Sequence, residues 1–430
     1  MRRPSNLMIY ADEERAPVEV IRARQLARLN DLLAAVLPRN RFYARVLAGV
    51  SPPIDWAEFA NLPTIDKHDL VADQERHPPL GSIATYPLDE YSNYHQTSGT
   101  KGIPLAVLDT PASWDWWAEC WQYVYAAAEV TARDRLFFAF SFGPFIGFWS
   151  AYAGARRLGA LTIPAGGADT VSRLKMMQST RPTVLLSTVT YAQRLAEVAE
   201  REGISLRDLG IRVTIHAGEP GASVPSVRSR IEQAFGARCH DHAGATEVGA
   251  FGYSCETRQG VHVNEAEFIA EIVDPLTCRP VGEGERGELV LTNLGRAGWP
   301  AIRYRTGDMV EAGGRRCTCG RTFLLLPGGV IGRIDDLMIV RGVNVYPSAV
   351  EAIVREFPTG EFRIVRSIRN SMEAIDLEVE GTPAVREPLA AALRQRLGVR
   401  IDVTLVPEQS LPRFELKARR VVDRRPEASR

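Results

Sequence analysis

Short apolar runs alternate with longer amphipathic stretches through the first half of the chain. The runs have the length and composition of buried strands, and the stretches between them show the apolar spacing of helices. The predicted strands are 136–140, 184–187 and 212–216, and the predicted helices are 113–128, 189–201 and 223–235. Strands that alternate with helices in this way predict βαβ units and a mostly parallel sheet.

The flanking regions follow other patterns. Residues 20–48 predict a helix, and residues 267–310 predict a small antiparallel β region. Two adjacent glycines then precede a charged turn, which is typical of a linker, and a compact set of helical and strand-like stretches follows. We therefore predict an α/β protein with two domains. Residues 1–332 form a large N-terminal domain with mostly parallel sheets plus a small β region, and residues 333–430 form a small mobile α+β C-terminal domain.

The charges of the chain balance, with 52 Lys plus Arg against 52 Asp plus Glu in 430 residues. Such a chain lacks the strong field that collects nucleic acid or anionic membrane, so we expect neither partner. The uncharged stretch 136–155 is long enough to span a bilayer, but Gly143, Pro144 and Gly147 favour a strand, a turn and a helix start. The chain shows no signal peptide and its six cysteines suggest no disulfide framework, so we expect a cytoplasmic protein.

The octapeptide Thr-Ser-Gly-Thr-Lys-Gly-Ile-Pro, which starts at Thr97, has the composition of an anion-binding loop. Its glycines let the backbone bend closely around an anion, so that N–H groups point at phosphate oxygens, and its hydroxyls add further donors. The spacing differs from that of the classical nucleoside triphosphatase loop. Taken alone, such a peptide is more often an ordinary loop, so the assignment depends on other motifs.

Four further motifs follow in order. They start at His242, Tyr304, Gly332 and Leu411, and they run His-Ala-Gly-Ala-Thr-Glu-Val-Gly, Tyr-Arg-Thr-Gly-Asp, Gly-Arg-Ile-Asp-Asp and Leu-Pro-Arg-Phe-Glu-Leu-Lys. The ordered set resembles the adenylate-forming superfamily of acyl- and aryl-CoA synthetases, and more narrowly its phenylacetate-CoA ligase branch. The segments that mark the branch are 41–43, 62–70, 218–220, 303–308 and 341–347. The similarity covers nearly the whole chain.

The resemblance implies that ATP, Mg²⁺ and coenzyme A convert a carboxylic acid to an acyl-adenylate and then to a thioester. It implies catalytic roles for Thr246 at the α-phosphate and for Glu247, which would bind Mg²⁺. Asp308 would accept the ribose hydroxyls, and Arg333 would approach the ribose or the phosphates. The implied ATP and AMP site comprises Thr97, Ser98, Gly99, Thr100, Lys101, Gly102, Gly218, Glu219, Pro220, Asp308 and Arg333.

Lys417 is the catalytic cation that the resemblance implies. A lysine between the carboxylate and the phosphate neutralises the charge of the transition state. The branch usually carries glycine directly before this lysine, where this chain has Leu416. For the second step the small domain of the family rotates about a hinge, which corresponds to Asp335 here, and brings Arg341 and Gly342 to the thiol tunnel.

The acid site of the family follows the phosphate loop on a strand and turn, which correspond to 139–148 in this chain. Phe140 and Phe145 match positions around the aromatic ring in phenylacetate-type ligases, and aromatic walls favour a flat aryl or arylacetic acid. Two histidines flank the predicted site and would suit a polar substituent, which makes an amino- or hydroxybenzoate attractive. The predicted acid pocket comprises Phe140, Phe145, His216, Ala217, His242, Ala243 and Gly244.

Three cysteines and one histidine have the donor types of a closed tetrahedral zinc site. They are Cys255, His262, Cys317 and Cys319. The two pairs would have to converge in the β region before the hinge, and the alternative is four unrelated residues. A zinc held by all four would be structural, because no open position remains for catalysis.

Three interpretations of the whole chain compete. The first is an aryl-CoA synthetase, whose partners are a small aromatic acid, ATP and coenzyme A, and whose branch often forms homodimers. The second is a stand-alone adenylation enzyme that loads its acid onto the phosphopantetheine thiol of a carrier protein. The third is a non-catalytic nucleotide-binding protein, against which the intact Glu247, Asp308 and Lys417 argue.

Overall fold

The computed structural model describes Tyr10 and residues 12–97, 104–340, 343–369, 372–415 and 417–425. The helices of these residues are α1 (Val18–Val36), α2 (Arg41–Val46), α3 (Trp56–Asn61), α4 (Lys67–Arg76), α5 (Pro111–Ala127), α6 (Trp149–Leu158), α7 (Thr170–Thr180), α8 (Val189–Arg201), α9 (Pro225–Phe235), α10 (Pro347–Val354) and α11 (Pro383–Leu397). None of these helices has the length and apolar character that crossing a membrane requires, as far as the described residues extend.

The strands of the described residues fall into five sheets. The strands are β1 (Asn93–Gln96), β2 (Ala106–Asp109), β3 (Arg135–Phe138), β4 (Leu161–Pro164), β5 (Val184–Ser187), β6 (Val213–His216), β7 (Arg238–Ala245), β8 (Gly249–Tyr253), β9 (Gly260–Val263), β10 (Phe268–Val273), β11 (Arg286–Asn293), β12 (Tyr304–Glu311), β13 (Leu325–Pro327), β14 (Gly332–Arg333), β15 (Met338–Val340), β16 (Val343–Val345), β17 (Phe362–Arg369), β18 (Met372–Glu380), β19 (Asp402–Val406) and β20 (Val421–Asp423).

The largest sheet of the described residues has eight strands in the order β13-β9-β8-β7-β6-β5-β3-β4. From β4 to β7 the strands are parallel, and from β7 to β13 they are antiparallel. Consecutive residues of β3 point into different cores, because Leu136 and Phe138 join one hydrophobic cluster and Phe137 joins the other. A sheet buried on both faces explains why its parallel strands are continuous apolar runs.

The predicted helix 20–48 is two helices, α1 and α2. Pro38 has no N–H to continue the hydrogen bonds of α1. Two residues later, the side chain of Asn40 accepts a hydrogen bond from the N–H of Tyr43 at 2.9 Å and so begins α2. The apolar spacing runs through the break, so periodicity alone does not reveal it.

Two smaller sheets lie beside the large one in the chain. Strands β1 and β2 form a hairpin. Strands β10, β11, β12 and β14 form an antiparallel sheet, as predicted for this region. In that sheet Asp308 on β12 pairs with Arg333 on β14, so two predicted nucleotide-site residues become neighbours.

The C-terminal part of the chain has a hydrophobic core of its own. That core starts at Met338 and includes residues of α10, α11, β17 and β18. The sheet beneath the helices has the order β19-β18-β17-β20. A short 3₁₀ helix, Ile334–Asp336, precedes this unit and contains the predicted hinge. The proposed division between residues 332 and 333 stays a prediction.

Candidate active site

The predicted site residues follow the carboxyl ends of neighbouring parallel strands. Strand β3 leads into the predicted acid-pocket segment, β6 leads to Gly218 and Glu219, and β7 leads to Thr246 and Glu247. These ends meet at one edge of the sheet, because β3, β5, β6 and β7 are adjacent and parallel. In open α/β sheets, this edge is where ligands bind.

The hairpin β1–β2 carries the predicted phosphate loop. Thr97 and Leu105 close the neck of the hairpin: the Thr97 N–H donates to the Leu105 carbonyl at 3.0 Å, and the Leu105 N–H donates to the Thr97 hydroxyl at 3.1 Å. Thr97 is buried in this position. The other predicted loop residues, Ser98, Gly99, Thr100, Lys101 and Gly102, lie outside the described residues.

Glu247 lies in the turn between β7 and β8 and is 9% exposed. Its carboxylate forms an ion pair with Lys67 at 3.1 Å. Lys67 is the first residue of α4, a long way from Glu247 in the chain. Lys67 was not predicted as a site residue, although it lies in segment 62–70, which marks the branch. The pairing places a cation beside the carboxylate that is predicted to bind Mg²⁺.

Asp308 and Arg333 form an ion pair of 2.9 Å, and Arg333 also donates to the carbonyl of Thr306 at 2.7 Å. Burial raises the pKa of the Asp308 carboxyl, while the charge of Arg333 acts in the opposite direction. Gly307 between them has a φ of +71°, and a Cβ there would lie 2.8 Å from Arg333 Nη2. Only glycine therefore suits the turn that brings this arginine to the carboxylate.

Lys417 extends over Gly218. A Cβ at Gly218, whose φ is +93°, would lie 3.2 Å from Lys417 Cε, so this glycine makes room for the lysine. The side chain is accessible to solvent, yet loss of surrounding water lowers the pKa of Lys417. The carboxylates of Glu219, Asp308 and Glu247 oppose that shift. Lys417 thus lies against Gly218, and the charges of three predicted carboxylates, which come from three separate motifs, act on its ammonium group.

Glu219 connects this lysine segment to the large sheet. Its carboxylate accepts a hydrogen bond from the N–H of Thr190 at 2.7 Å and another from the N–H of Ala418 at 3.1 Å. Burial raises the pKa of Glu219, although both hydrogen bonds act against the rise. Pro220, the neighbouring predicted residue, is half-buried.

Phe140 lies in an aromatic cluster at the end of β3. Its ring centroid is 4.6 Å from that of Phe142 and 4.7 Å from that of Phe148. Phe145, in contrast, is 41% exposed and has no ring contact in the part of the chain that the structure describes. The structure therefore brings Phe140 into an aromatic wall and leaves Phe145 apart from it.

The two predicted pocket histidines have different surroundings. His216 is fully buried on β6 with Nδ1 3.2 Å from the Ser187 hydroxyl, and burial lowers its pKa to about 4. The Nδ1–H of His242 donates to the carbonyl of Gly252 at 2.7 Å, and burial lowers the pKa of His242 to about 4. Its ring lies 4.2 Å from that of Trp121. Both imidazoles are therefore neutral near pH 7.

The neighbourhood of His242 is tight on the side of Gly244. A Cβ at Gly244 would lie 3.2 Å from His242 Nε2. Gly244 itself is exposed, and Ala243 between them is buried. Ala217, the other small residue of the predicted pocket, is half-buried and donates its N–H to the Ser187 carbonyl at 3.3 Å. A larger residue at position 244 would therefore press on the imidazole of His242.

The four predicted zinc ligands converge. The ligand atoms of Cys255, His262, Cys317 and Cys319 all lie within 4.8 Å of one another. The sulfurs of Cys255 and Cys317 are 3.8 Å apart, and Cys319 Sγ is 3.6 Å from His262 Nε2. Bonds of about 2.3 Å to sulfur and about 2.0 Å to nitrogen in a tetrahedron require separations of about 3.8 and 3.6 Å. The residues therefore fit a zinc ion.

Hydrogen bonds around the cysteine–histidine cluster orient its predicted ligands. The Nδ1–H of His262 donates to the carbonyl of Phe323 at 3.0 Å, which leaves Nε2 with its lone pair toward the sulfurs. A hydrogen bond with Cys319 lowers the pKa of the Cys255 thiol. The same contact raises the pKa of Cys319. Thiolate character at Cys255 suits a metal ligand.

The predicted hinge and tunnel are described only in part. Asp335 lies in the 3₁₀ helix between β14 and β15. Arg341 and Gly342 lie outside the described residues, as does Leu416. The geometry of the predicted thiol tunnel therefore stays a prediction.

Comparison with known families gives a match over most of the chain. The AMP-binding enzyme family matches residues 64–295, and the AMP-binding enzyme C-terminal domain matches residues 342–425. The chain belongs to the AMP-binding enzyme family. It is 34% identical to a phenylacetate-coenzyme A ligase of Thermus thermophilus over 97% of this chain and 100% of that protein. It is 31% identical to a phenylacetate-coenzyme A ligase of Escherichia coli, over 96% of this chain and 97% of that one.

Solved structures agree with this placement. A 2-hydroxyisobutyryl-CoA ligase in the postadenylation state, in complex with 2-HIB-AMP, superposes with a TM-score of 0.90 and 32% identity, over 96% of this chain and 91% of that one. The same ligase in the thioesterification state, with 2-HIB-AMP and CoA, gives a TM-score of 0.74 and 33% identity, over 96% and 92%. The fold and the phenylacetate-CoA ligase-like character predicted from the motifs are confirmed.

Proposed function

We propose that this protein activates an aromatic carboxylic acid with ATP to an acyl-adenylate and transfers the acyl group to coenzyme A. Membership of the AMP-binding enzyme family supports the first step, and similarity to coenzyme A ligases supports the second. The single observation that carries the proposal is the position of Lys417 over Gly218, in the electrostatic range of Glu219, Asp308 and Glu247.

In the first step, Lys417 would lie between the substrate carboxylate and the α-phosphate. Its ammonium would offset the negative charge that two anions bring together, and Thr246 would hydrogen-bond the α-phosphate. Asp308 accepts from Arg333 through Oδ1 in the structure, and its Oδ2 would accept from a ribose diol. Holding carboxylate and phosphate in line is the main task of such a site, since positioning can supply much of the rate.

Mg²⁺ fits beside Glu247, because a carboxylate oxygen is the ligand it prefers. Lys67 now pairs with that oxygen at 3.1 Å. When a magnesium–nucleotide complex binds, the lysine would be free to pair with a phosphate oxygen instead. We therefore assign Lys67 to the departing pyrophosphate, which needs positive charge as it leaves.

The acid is proposed to be an aryl or arylacetic acid with a hydrogen-bond donor. Support comes from His242: its Nδ1–H is committed to Gly252, and Nε2 has no hydrogen-bond partner among the described residues. A neutral imidazole with a free lone pair accepts a hydrogen bond, so an amino or hydroxyl substituent fits better than an acceptor. The Phe140 cluster would supply the wall for a flat ring.

The second step requires a different arrangement of the small domain. The higher TM-score with the postadenylation state than with the thioesterification state of the same ligase supports an adenylation-type arrangement in this structure. Rotation about Asp335 would then withdraw Lys417 and admit the thiol. We further propose that Cys255, His262, Cys317 and Cys319 hold a structural zinc.

The test is a pyrophosphate-release assay with a panel of benzoates, arylacetates and short aliphatic acids, each with and without coenzyme A. Release with an amino- or hydroxyaryl acid, and a thioester when coenzyme A is present, is the expected result. Preference for an aliphatic acid would overturn the substrate class. Adenylate formation without transfer to coenzyme A would instead indicate a carrier-protein thiol. No pyrophosphate release with any acid of the panel would contradict the proposed reaction.

Lys417→Ala separates the two steps. The variant should lose acid-dependent pyrophosphate exchange by at least about a thousandfold, because the cation at the transition state is gone. It should still form thioester from a presynthesised acyl-adenylate. Equal loss of both partial reactions would contradict the assignment of Lys417 to the first step alone.

A further inference from the structure

Three consecutive backbone carbonyls in the Thr246–Val248 turn are held by buried side chains. Arg296 Nη1 donates to the carbonyl of Thr246 at 2.9 Å and to that of Glu247 at 3.2 Å. Asn293 Nδ2 donates to the carbonyl of Val248 at 2.9 Å. Both side chains belong to fully buried residues at the end of β11 and just beyond it. The turn that carries the predicted phosphate and Mg²⁺ ligands is thus held in place through its backbone carbonyls.

The same arginine reaches the phosphate hairpin. Arg296 Nε and Nη2 donate to the two carboxylate oxygens of Asp109 at 2.7 and 2.8 Å, and both side chains are 0% exposed. Asp109 is the last residue of β2, on the strand that leaves the predicted phosphate loop. The guanidinium also lies 5.1 Å from the Trp117 ring centroid. One side chain therefore connects the hairpin with the Thr246–Val248 turn.

The neighbouring residue makes this approach possible. A Cβ at Gly295 would lie 2.1 Å from Trp116 Cδ1, so only glycine lets the chain pass so close to α5. Arginine is the residue type that suits the position, since its planar fork donates to a carboxylate and to further acceptors at once, which lysine cannot reproduce.

Stability alone is a weak explanation for such an arrangement. A fully buried ion pair often contributes no more than apolar residues of the same volume would. What the pair adds is geometry, since four hydrogen bonds fix Arg296 between two predicted substrate-binding segments. Displacement of a reacting group by about 1 Å can slow catalysis by about a hundredfold.

We propose that Asp109, Arg296 and Asn293 are positioning residues for adenylate formation. Together they set the spacing between the phosphate hairpin and the Thr246–Val248 turn. This spacing determines how the Thr246 hydroxyl and the Glu247 carboxylate are oriented. They act through those groups and not by touching the nucleotide. The inference rests on the proposed function for the reaction that these residues serve.

The first experiment compares Asn293→Ala with Asn30→Ala. Asn30 is a matched control, because its carboxamide holds the backbone of Ile54 by hydrogen bonds of 3.0 and 2.7 Å away from the site. Asn293→Ala should slow pyrophosphate exchange about tenfold or more and raise the Mg²⁺ concentration needed for half-maximal exchange. Thioester formation from presynthesised acyl-adenylate should stay within about twofold of wild type, since the adenylate carries only its α-phosphate and that step uses neither Mg²⁺ nor pyrophosphate.

Asn30→Ala should leave both partial reactions unchanged. An equal loss of both steps in Asn293→Ala, or unchanged exchange, would overturn the proposal. Binding of magnesium–ATP, measured by calorimetry without any acid, should be weakened about tenfold in Asn293→Ala and not in Asn30→Ala. If the proposed reaction is wrong, the wild-type protein binds ATP but activates no acid. If only this inference is wrong, Asn293→Ala binds magnesium–ATP as tightly as the wild type does.

A second variant replaces the buried pair by apolar residues, as Asp109→Leu with Arg296→Met. Such replacements often keep a protein folded, which circular dichroism and thermal unfolding would verify. The folded double variant should lose pyrophosphate exchange by about a hundredfold and keep the thioester step. The single variant Arg296→Lys, with Asp109 intact, should show more exchange than the double variant and less than wild type, because lysine cannot make both sets of hydrogen bonds. A folded double variant with wild-type exchange would overturn the proposal.

Discussion

The carboxylate of Glu219 accepts a hydrogen bond of 3.1 Å from the backbone N–H of Ala418, the residue that directly follows Lys417. Its second oxygen accepts from the N–H of Thr190 in the first turn of α8 at 2.7 Å. The partial positive charge at the N-terminus of α8 strengthens the hydrogen bond between Thr190 and Glu219. One carboxylate therefore holds the lysine segment against the large domain.

Glu219→Gln should weaken this connection without changing the size of the side chain. A carboxamide has one oxygen, so one of the two N–H groups loses its acceptor. We expect acid-dependent pyrophosphate exchange to fall about tenfold, while the thioester step from presynthesised acyl-adenylate stays the same or becomes faster, because the lysine segment leaves more easily. Slower thioester formation in this variant would contradict a role of Glu219 in holding the adenylation arrangement.

Lys67→Ala should affect the nucleotide and not the acid. Removal of the ammonium that pairs with Glu247 should raise the KM for magnesium–ATP and slow pyrophosphate exchange, together by about a hundredfold, since a charged hydrogen bond to phosphate is lost. The KM for the acid should change little. Lys175→Ala is the matched control, because Lys175 is exposed on α7. A raised KM for the acid alone would refute the assignment of Lys67 to the pyrophosphate.

The cysteine–histidine cluster should contain about one zinc per chain when the purified protein is analysed for metals. Cys317→Ser should lower the zinc content and the Tm, since a structural zinc contributes to folding free energy. Cys278→Ser provides the control, because Cys278 is a free cysteine outside the cluster. Far less than one zinc per chain, with a normal Tm in Cys317→Ser, would remove the metal site.

The protonation of His242 should make the protein less stable in acid. Burial lowers the pKa of His242 from 6.5 to about 4, so between these values the unfolded chain binds a proton that the folded chain does not. The free energy of unfolding therefore falls as pH decreases from about 6.5 to 4, by up to about 3 kcal/mol for this residue.

His242→Asn tests this contribution. Asparagine keeps a donor for the Gly252 carbonyl and has no titrating group. Urea unfolding at pH 7 and pH 5 should therefore show a smaller loss of stability for the variant than for wild type. Asp241, whose pKa burial raises to about 6, acts in the opposite direction in both proteins and cancels in the comparison. An identical pH dependence for variant and wild type would show that His242 is not held neutral.

The sequence predicted the parts of the site that ordered motifs or chemical donor sets reveal. Strand 184–187 and helix 189–201 have the observed bounds, because continuous burial and helical spacing are strong local signals. The cysteine–histidine cluster was also predicted, since its donor types are rare elsewhere in the chain. The position of Lys417 beside Gly218 follows from motifs that the family resemblance placed together.

Contacts between distant segments were beyond prediction. Nothing local distinguishes Lys67 from other helix-starting charges, and its pairing with Glu247 depends on how α4 packs. Arg296 and Asn293 have no motif of their own, and only the fold shows that they hold the Thr246–Val248 turn. Phe145 is 41% exposed, and its place in the acid pocket stays a prediction.

Both edge strands of the eight-stranded sheet end in proline. Strand β13 ends at Pro327 and strand β4 ends at Pro164. A proline has no N–H to offer a further strand, and strands of three or four residues give little length for pairing. The sheet is therefore protected against growth by addition of a strand from another molecule. Self-association into extended β-aggregates through these two edge strands is therefore disfavoured.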